Sequence, residues 1–257
     1  MKMVHWMGAC VAPLVLAACG GGDGTLGSAL PPPAAATAEG AYAGALSGAT
    51  SSNAFDMIVL DGGEYWVPYG TLSNNVLYVA GFIQGTGTSN AGTFSSSNGR
   101  DFGVSPVGSD TVSATYVAGT SAQGTVSSAF GTVNFSGTVA GIAPYVYNTP
   151  ASLSSIVGTW SMNSLLGNVV TVNVSGAGSF SSNEAGCIST GSVLPRPSGK
   201  NVFDVVVTAG ASPCLTPGLA GHGIAVYSPI ANSTVHQLIV GVVSNDRASG
   251  SAYVGAR

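Results

Sequence analysis

Apolar residues in this chain recur at alternate positions, in runs broken about every 8–12 residues by Gly, Asn, Ser or Asp. A period of two places successive side chains on opposite faces of a strand, so each run buries one face and wets the other. Val170, Val172 and Val174 point one way while Thr171 and Asn173 point the other. Val133 and Phe135 oppose Thr132, Asn134 and Ser136, and Phe203, Val205 and Val207 oppose Asp204. Asp61-Gly62-Gly63, between Met57–Leu60 and Tyr65–Tyr69, is a hairpin signal, and Ser244-Asn245-Asp246 marks a turn before the last strand. No stretch after residue 40 carries a helical apolar stripe of about ten residues, and 38 glycines weigh against long helices. The expected fold is all-β: antiparallel strands in two small β-barrel or sandwich modules, residues 40–148 and 149–257.

The division into two modules rests on echoes. Gly40-Ala41-Tyr42 opens the first half and Gly158-Thr159-Trp160 the second; Gly92-Thr93-Phe94-Ser95 is echoed by Gly178-Ser179-Phe180-Ser181. Ala143-Pro144 to Thr149-Pro150 suits a linker. One continuous sheet of the same content is the alternative.

Charged residues make up 6% of the chain, against about 25% in an average soluble protein, and the net charge is −4. The few Lys and Arg are scattered, so no basic patch is available for nucleic-acid phosphates. Solubility then rests on Ser, Thr, Asn and Gly.

The N-terminus reads as an export signal. Lys2 precedes a mostly apolar run from Val4 to Ala18, too short for a comfortable membrane span. It ends in Leu16-Ala17-Ala18-Cys19, which resembles the bacterial lipobox. The resemblance implies cleavage before Cys19, acylation of its thiol, and a lipid-bilayer partner reached through that anchor. Gly20 after the cysteine, rather than an aspartate, implies the outer membrane, on its periplasmic or cell-surface face. Gly20-Gly21-Gly22 and Pro31-Pro32-Pro33 then frame a tether over residues 19–39.

Cysteine usage agrees with export. Cys10 leaves with residues 1–18 and Cys19 takes lipid, so Cys187 and Cys214 remain, the even number an oxidising compartment favours. A bridge between them closes about 26 residues, worth about 3–4 kcal/mol in the chain-entropy account. A pair of metal ligands is the competing reading, but neither cysteine has a second Cys or His at chelate spacing.

The second half, through Gly186-Cys187, Pro195-Arg196-Pro197-Ser198-Gly199-Lys200-Asn201-Val202-Phe203, Ser212-Pro213-Cys214 and Gly223-Ile224-Ala225-Val226-Tyr227, resembles uncharacterised Gly/Ser/Thr-rich proteobacterial outer-membrane lipoproteins with two β modules. Repeated glycine-aromatic strand starts give a looser likeness to transferrin-binding-type surface lipoprotein barrels. That group's handle motifs are absent, so its iron-acquisition role is not carried over.

The inventory for catalysis is thin. His236 alternates with Leu238 and Val240 as a half-buried strand residue would, and His222 sits between two glycines. Asp56, Asp61 and Glu64 bracket a hairpin, where acidic residues are ordinary turn formers. No Gly-x-Ser-x-Gly elbow or phosphate cradle stands before a helix, and no cofactor or metal site is expected. Tyr65, Trp66 and Tyr69, with Tyr78 nearby, concentrate aromatic surface in adjoining strands. With Tyr65 and Tyr69 on one face and Trp66 on the other, one set could be core and the other exposed for protein or carbohydrate contact; packing of these aromatics in a barrel or sandwich core is the favoured alternative. The expected function is a membrane-anchored envelope lipoprotein acting by non-covalent binding or a structural role. The alternative is an envelope enzyme acting on glycan or peptide, with a carboxylate pair or triad assembled across strands.

Overall fold

The computed structural model describes residues 36–142 and 145–257. The expected signal peptide (1–18), the lipidated Cys19 and the tether up to residue 35 lie outside the described residues. Within them the chain is all-β, with two short 3-10 turns at Val139–Ile142 and Leu153–Ser155 and no α-helix.

The first half forms β1 (Gly40–Gly48), β2 (Ala54–Val59), β3 (Glu64–Ser73), β4 (Val76–Thr86), β5 (Thr88–Asn90), β6 (Thr93–Asp101), β7 (Gly108–Val117), β8 (Ser121–Ser128) and β9 (Gly131–Thr138). Successive strands pair antiparallel, and β9 returns to β1 with Gly44 opposite Gly137. The result is a closed barrel of eight strands in which β4 and β5 share one place. The thinnest seam is β4–β6, where only Ile83↔Asp101 and Gln84↔Arg100 pair. A bulge between Ser96 and Gly99 interrupts β6 there, and the Asn98 side chain accepts the Thr86 N–H in its place.

The second half forms β10 (Gly158–Ser164), β11 (Val169–Val174), β12 (Ser179–Glu184), β13 (Cys187–Pro195), β14 (Phe203–Ala209), β15 (Ala220–Pro229), β16 (His236–Ser244) and β17 (Gly250–Ala256). It is a closed meander too, with β17 returning to β10. The two-module expectation therefore replaces the single continuous sheet. Gly40 and Gly158 each open the first strand of a barrel at positive φ, and Tyr42 and Trp160 two residues on are buried in the respective interiors. The other echo joins strands at different places in the two meanders: Phe94 is on the fifth strand of its barrel and Phe180 on the third.

Exposed positions on β7 and β9 carry Ser109, Thr111, Ser113, Thr132, Asn134 and Ser136, while their alternates face inward. A barrel that spans a membrane has the reverse pattern, apolar outside and polar within. The exterior is apolar where the barrels meet. Ile58 on β2, Trp66 on β3 and Phe82 on β4 pack against Ile224 on β15, Val243 on β16 and Ala252 on β17. Trp66 and Phe82 stack at 5.8 Å, and Phe82 and Phe102 at 4.8 Å. Gly241 and Gly250 permit this approach: a Cβ at Gly241 would lie 3.0 Å from the Trp66 ring, and one at Gly250 would lie 2.7 Å from Phe102. Polar ties ring the contact. Gln237 donates to the Leu77 carbonyl, and Arg196 joins Asp61 of the first barrel to Asp204 of the second.

Residues 36–39 depart from the free tether expected up to residue 39. Ala38 is 2% exposed, its N–H donates to Ser89 Oγ, and the Tyr42 and Tyr116 hydroxyls donate to the carbonyls of Ala38 and Ala36. Glu39 pairs with Lys200 at 3.1 Å. This segment closes one end of the first barrel because the tyrosines need acceptors and Ala38 is small enough to fit among them.

Candidate functional site

An eight-stranded barrel has an interior just wide enough to be filled by side chains or to hold one small ligand. The residue types at inward positions settle which. In the first barrel these include Tyr42, Phe55, Tyr65, Phe94, Tyr116 and Phe135, and they pack edge-to-face, Phe55 on Phe135 at 5.6 Å and Tyr65 on Phe94 at 5.7 Å. These rings occupy the first interior. In the second, β11, β14 and β16 point Val170, Val172, Val205, Val207, Val240 and Val242 inward, and valine is too short to reach the axis. A cavity of about 660 Å³ remains, lined by these valines with Met162, Phe180, Leu238 and Tyr253.

One end of this lumen is shut. Ile156, Trp160, Phe203 and Leu238 fill it, and the Trp160 indole donates to the Ile156 carbonyl at 2.8 Å. Arg257 lies 3.9 Å over the Trp160 ring and donates to the carbonyls of Ser155, Val157 and Thr159. The other end opens where Leu166, Leu215 and Leu219 line the cavity and yet remain exposed, Leu215 at 91%. The predicted disulfide is here: Cys187 at the start of β13 joins Cys214, with Cα atoms 4.5 Å apart. It pins the β14–β15 loop carrying Leu215 to the mouth.

The mouth holds the polar groups of the lining. Glu184 at the end of β12 accepts Ser164 Oγ at 2.8 Å and Asn168 Nδ2 at 3.0 Å, both on Oε1. Ser182, Ser189 and Ser251 add hydroxyls. Burial holds the Tyr253 phenol above its ordinary pKa; a hydrogen bond with Ser251 opposes this and the Glu184 charge adds to it. Sequence reasoning missed Glu184, Ser164, Asn168 and Tyr253. The signal available was the contrast of inward Val and Ser in this half with inward aromatics in the other.

The aromatic cluster expected to meet a partner lies elsewhere. Tyr65 and Trp66 are 1% and 2% exposed, so neither face of that part of β3 is free. Tyr65 fills the first barrel, Trp66 the seam between barrels, and Tyr69 is half-buried with its hydroxyl donating to Asp101 at 2.7 Å. The exposed-face contact proposed for them is corrected for a physical reason: alternation predicts two faces, but a second barrel covers the outer one. Tyr78 alone of the group is exposed. His236 stacks on Tyr227 at 4.8 Å, and His222 lies 3.4 Å from Asn245 on the outside of β15.

Two carboxylates away from the lumen are buried or partly buried. Asp110 is 3% exposed inside the first barrel, and its Oδ2 has no hydrogen-bond partner among the described residues. Burial first, then the charge of Asp101, pushes its pKa up to about 6; burial among the inter-barrel side chains does the same for Asp56. Both native values lie above the ordinary 3.8, so the folded state binds these protons more tightly. Their stabilisation is full below 3.8 and is lost as pH rises through about 6. Asp246, held low by the Ser244 hydroxyl and the Ala248 N–H, acts in the opposite sense but below this window. The urea midpoint is therefore expected to rise between about pH 8 and about pH 5, and Asp110→Asn to stabilise the protein at about pH 8 by about 1–3 kcal/mol. A midpoint that stays flat or falls over this range contradicts the assignment.

Comparison with family models, curated proteins and solved structures finds no match to this chain.

Proposed function

We propose that this chain is a cell-envelope lipoprotein, anchored through Cys19, that binds a small apolar molecule without turnover inside its second barrel. The observation that carries the binding reading is the valine-lined lumen of about 660 Å³, shut at the Trp160 end and open at the disulfide end. That volume falls in the range of about 300–1,000 Å³ typical of small-molecule sites, which are likewise mostly apolar with a few placed polar groups. Glycan or peptide hydrolysis would call for paired carboxylates or a triad facing one cleft. Among the described residues Glu184 is the one charged side chain lining this cavity, so binding is the better-supported reading. The anchor rests on the resemblance of Leu16-Ala17-Ala18-Cys19 to the lipobox.

The test is a neutral apolar fluorophore, N-phenylnaphthylamine, whose emission rises in a dry site. Saturable binding at one site per chain is expected. Val240→Phe, which pushes a ring into the lumen, is expected to weaken it at least about tenfold while leaving stability equal or higher, because the ring fills a void. Wild-type binding retained by Val240→Phe would place the probe outside the barrel and end the proposal.

A further inference from the structure

Resting on the lumen reading above, the geometry points to a ligand class: we infer that the second barrel takes a single-chain amphiphile whose head is a protonated amine, tail in the lumen and head at Glu184. The tail follows from the lining. The deep walls are Val172, Val205 and Val240 with Met162 and Leu238, which offer dispersion contacts and no hydrogen-bonding group. Most polar side chains of the lining gather toward the end that carries Glu184, so a ligand polar at one end matches the site better than one polar throughout.

The head follows from charge. Both hydrogen bonds to Glu184 fall on Oε1, from Ser164 and Asn168, and among the described residues Oε2 accepts none. Those two bonds fix the carboxylate on the rim, with one oxygen left for a donor from the ligand. Ser189 and Ser251 line the same cavity with hydroxyl oxygens able to accept the remaining ammonium protons, and Ser182 adds one a position deeper than Glu184, across from Val172. No Lys, Arg or His lines the cavity among the described residues. Arg257 and Lys200 stand beside Trp160 and Tyr147, away from the mouth, and Arg247, in the turn between the lining residues Ser244 and Ser249, directs its guanidinium to Gln84 and Asn98 of the first barrel. A carboxylate or phosphate head would therefore meet a like charge with no cationic side chain in the lining to offset it, whereas an ammonium meets a held carboxylate in a partly dry mouth, where charge-assisted hydrogen bonds are strong.

Competition against N-phenylnaphthylamine tests this with dodecylamine, dodecanol and dodecanoate, which share one chain and differ in the head, each kept below its aggregation concentration. Dodecylamine is expected to compete about tenfold better than dodecanol, with dodecanoate weakest. In Glu184→Gln the amine should lose that advantage and match the alcohol, while probe and dodecanol binding persist and report an intact lumen. Should that variant fold poorly, added salt on the wild type gives the same reading: amine competition weakens and alcohol competition does not. If the probe does not bind the wild type at all, the lumen reading itself has failed. If the probe binds but the three heads compete equally, or dodecanoate competes best, the lumen reading stands and the amine assignment is overturned.

Discussion

Trp66→Ala is expected to cost about 3–5 kcal/mol, the range for truncating a fully buried large aromatic. The side chain is 2% exposed between the barrels, stacked on Phe82, seated over Gly241, with its indole donating to Glu64 Oε1 at 2.8 Å. Truncation removes the contacts on all these sides. It also leaves Glu64 Oε1 with only the longer bond from Gln84 at 3.2 Å, in a partly buried place where a lost partner is not fully replaced by water. Because the loss falls between the barrels and not inside either one, denaturation should broaden or separate into two steps as the modules uncouple. Urea unfolding followed by circular dichroism and by limited proteolysis reads both effects. A single transition within about 1 kcal/mol of the wild type would mean that this contact does not couple the barrels.

Arg247→Ala is expected to cost about 2–4 kcal/mol and to loosen the first barrel, although the residue belongs to the second. Arg247 lies between β16 and β17, and its guanidinium donates to Gln84 Oε1 at 2.6 Å, to the Gln84 carbonyl at 2.7 Å and to the Asn98 carbonyl at 2.8 Å. Gln84 is on β4 and Asn98 on β6, the two strands whose own pairing is only two residues long. The arginine thus bridges the weakest seam of its neighbour. Lysine cannot reproduce a planar fork on three acceptors, so Arg247→Lys should recover only part of the loss. Amide hydrogen exchange gives the specific signature: faster exchange along β4 and β6 with β10–β14 unaffected. Uniform acceleration over both barrels, or none, would contradict this role.

Much of the fold could be read from the chain because strand formation is local. Alternation at Val170–Val174 and Phe203–Val207 marked β11 and β14, and Asp61-Gly62-Gly63 marked the β2–β3 turn, since side-chain period and turn chemistry are properties of neighbouring residues. The bridge between Cys187 and Cys214 followed from count alone once two of four cysteines were set aside. The paired echo of Gly40 and Gly158 marked barrel starts because glycine accepts the positive φ found at both. The echo at Gly92 and Gly178 did not mark equivalent places, since a tight turn before a strand asks for the same residues wherever it falls in a meander.

Exposure was harder to read, for an equally physical reason. A strand residue points to one face or the other, but what covers each face lies far away in sequence. Met57-Ile58-Val59-Leu60 and Leu238-Ile239-Val240-Gly241-Val242-Val243 are runs without polar breaks, the mark of strands buried on both faces. They hint that β2 and β16 each meet a second layer, yet not that they meet each other, and so alternation alone left open which face of Tyr65-Trp66 is covered. The lumen has the same origin. Each inward valine is an ordinary core residue in its own strand, and a void arises only when closure and register bring valines from β11, β14 and β16 around one axis with no aromatic among them to fill it. Local chemistry thus sets strands, turns and the disulfide, whereas closure and the packing of barrel on barrel, which depend on contacts between distant segments, set what is buried, what is hollow and where a ligand can enter.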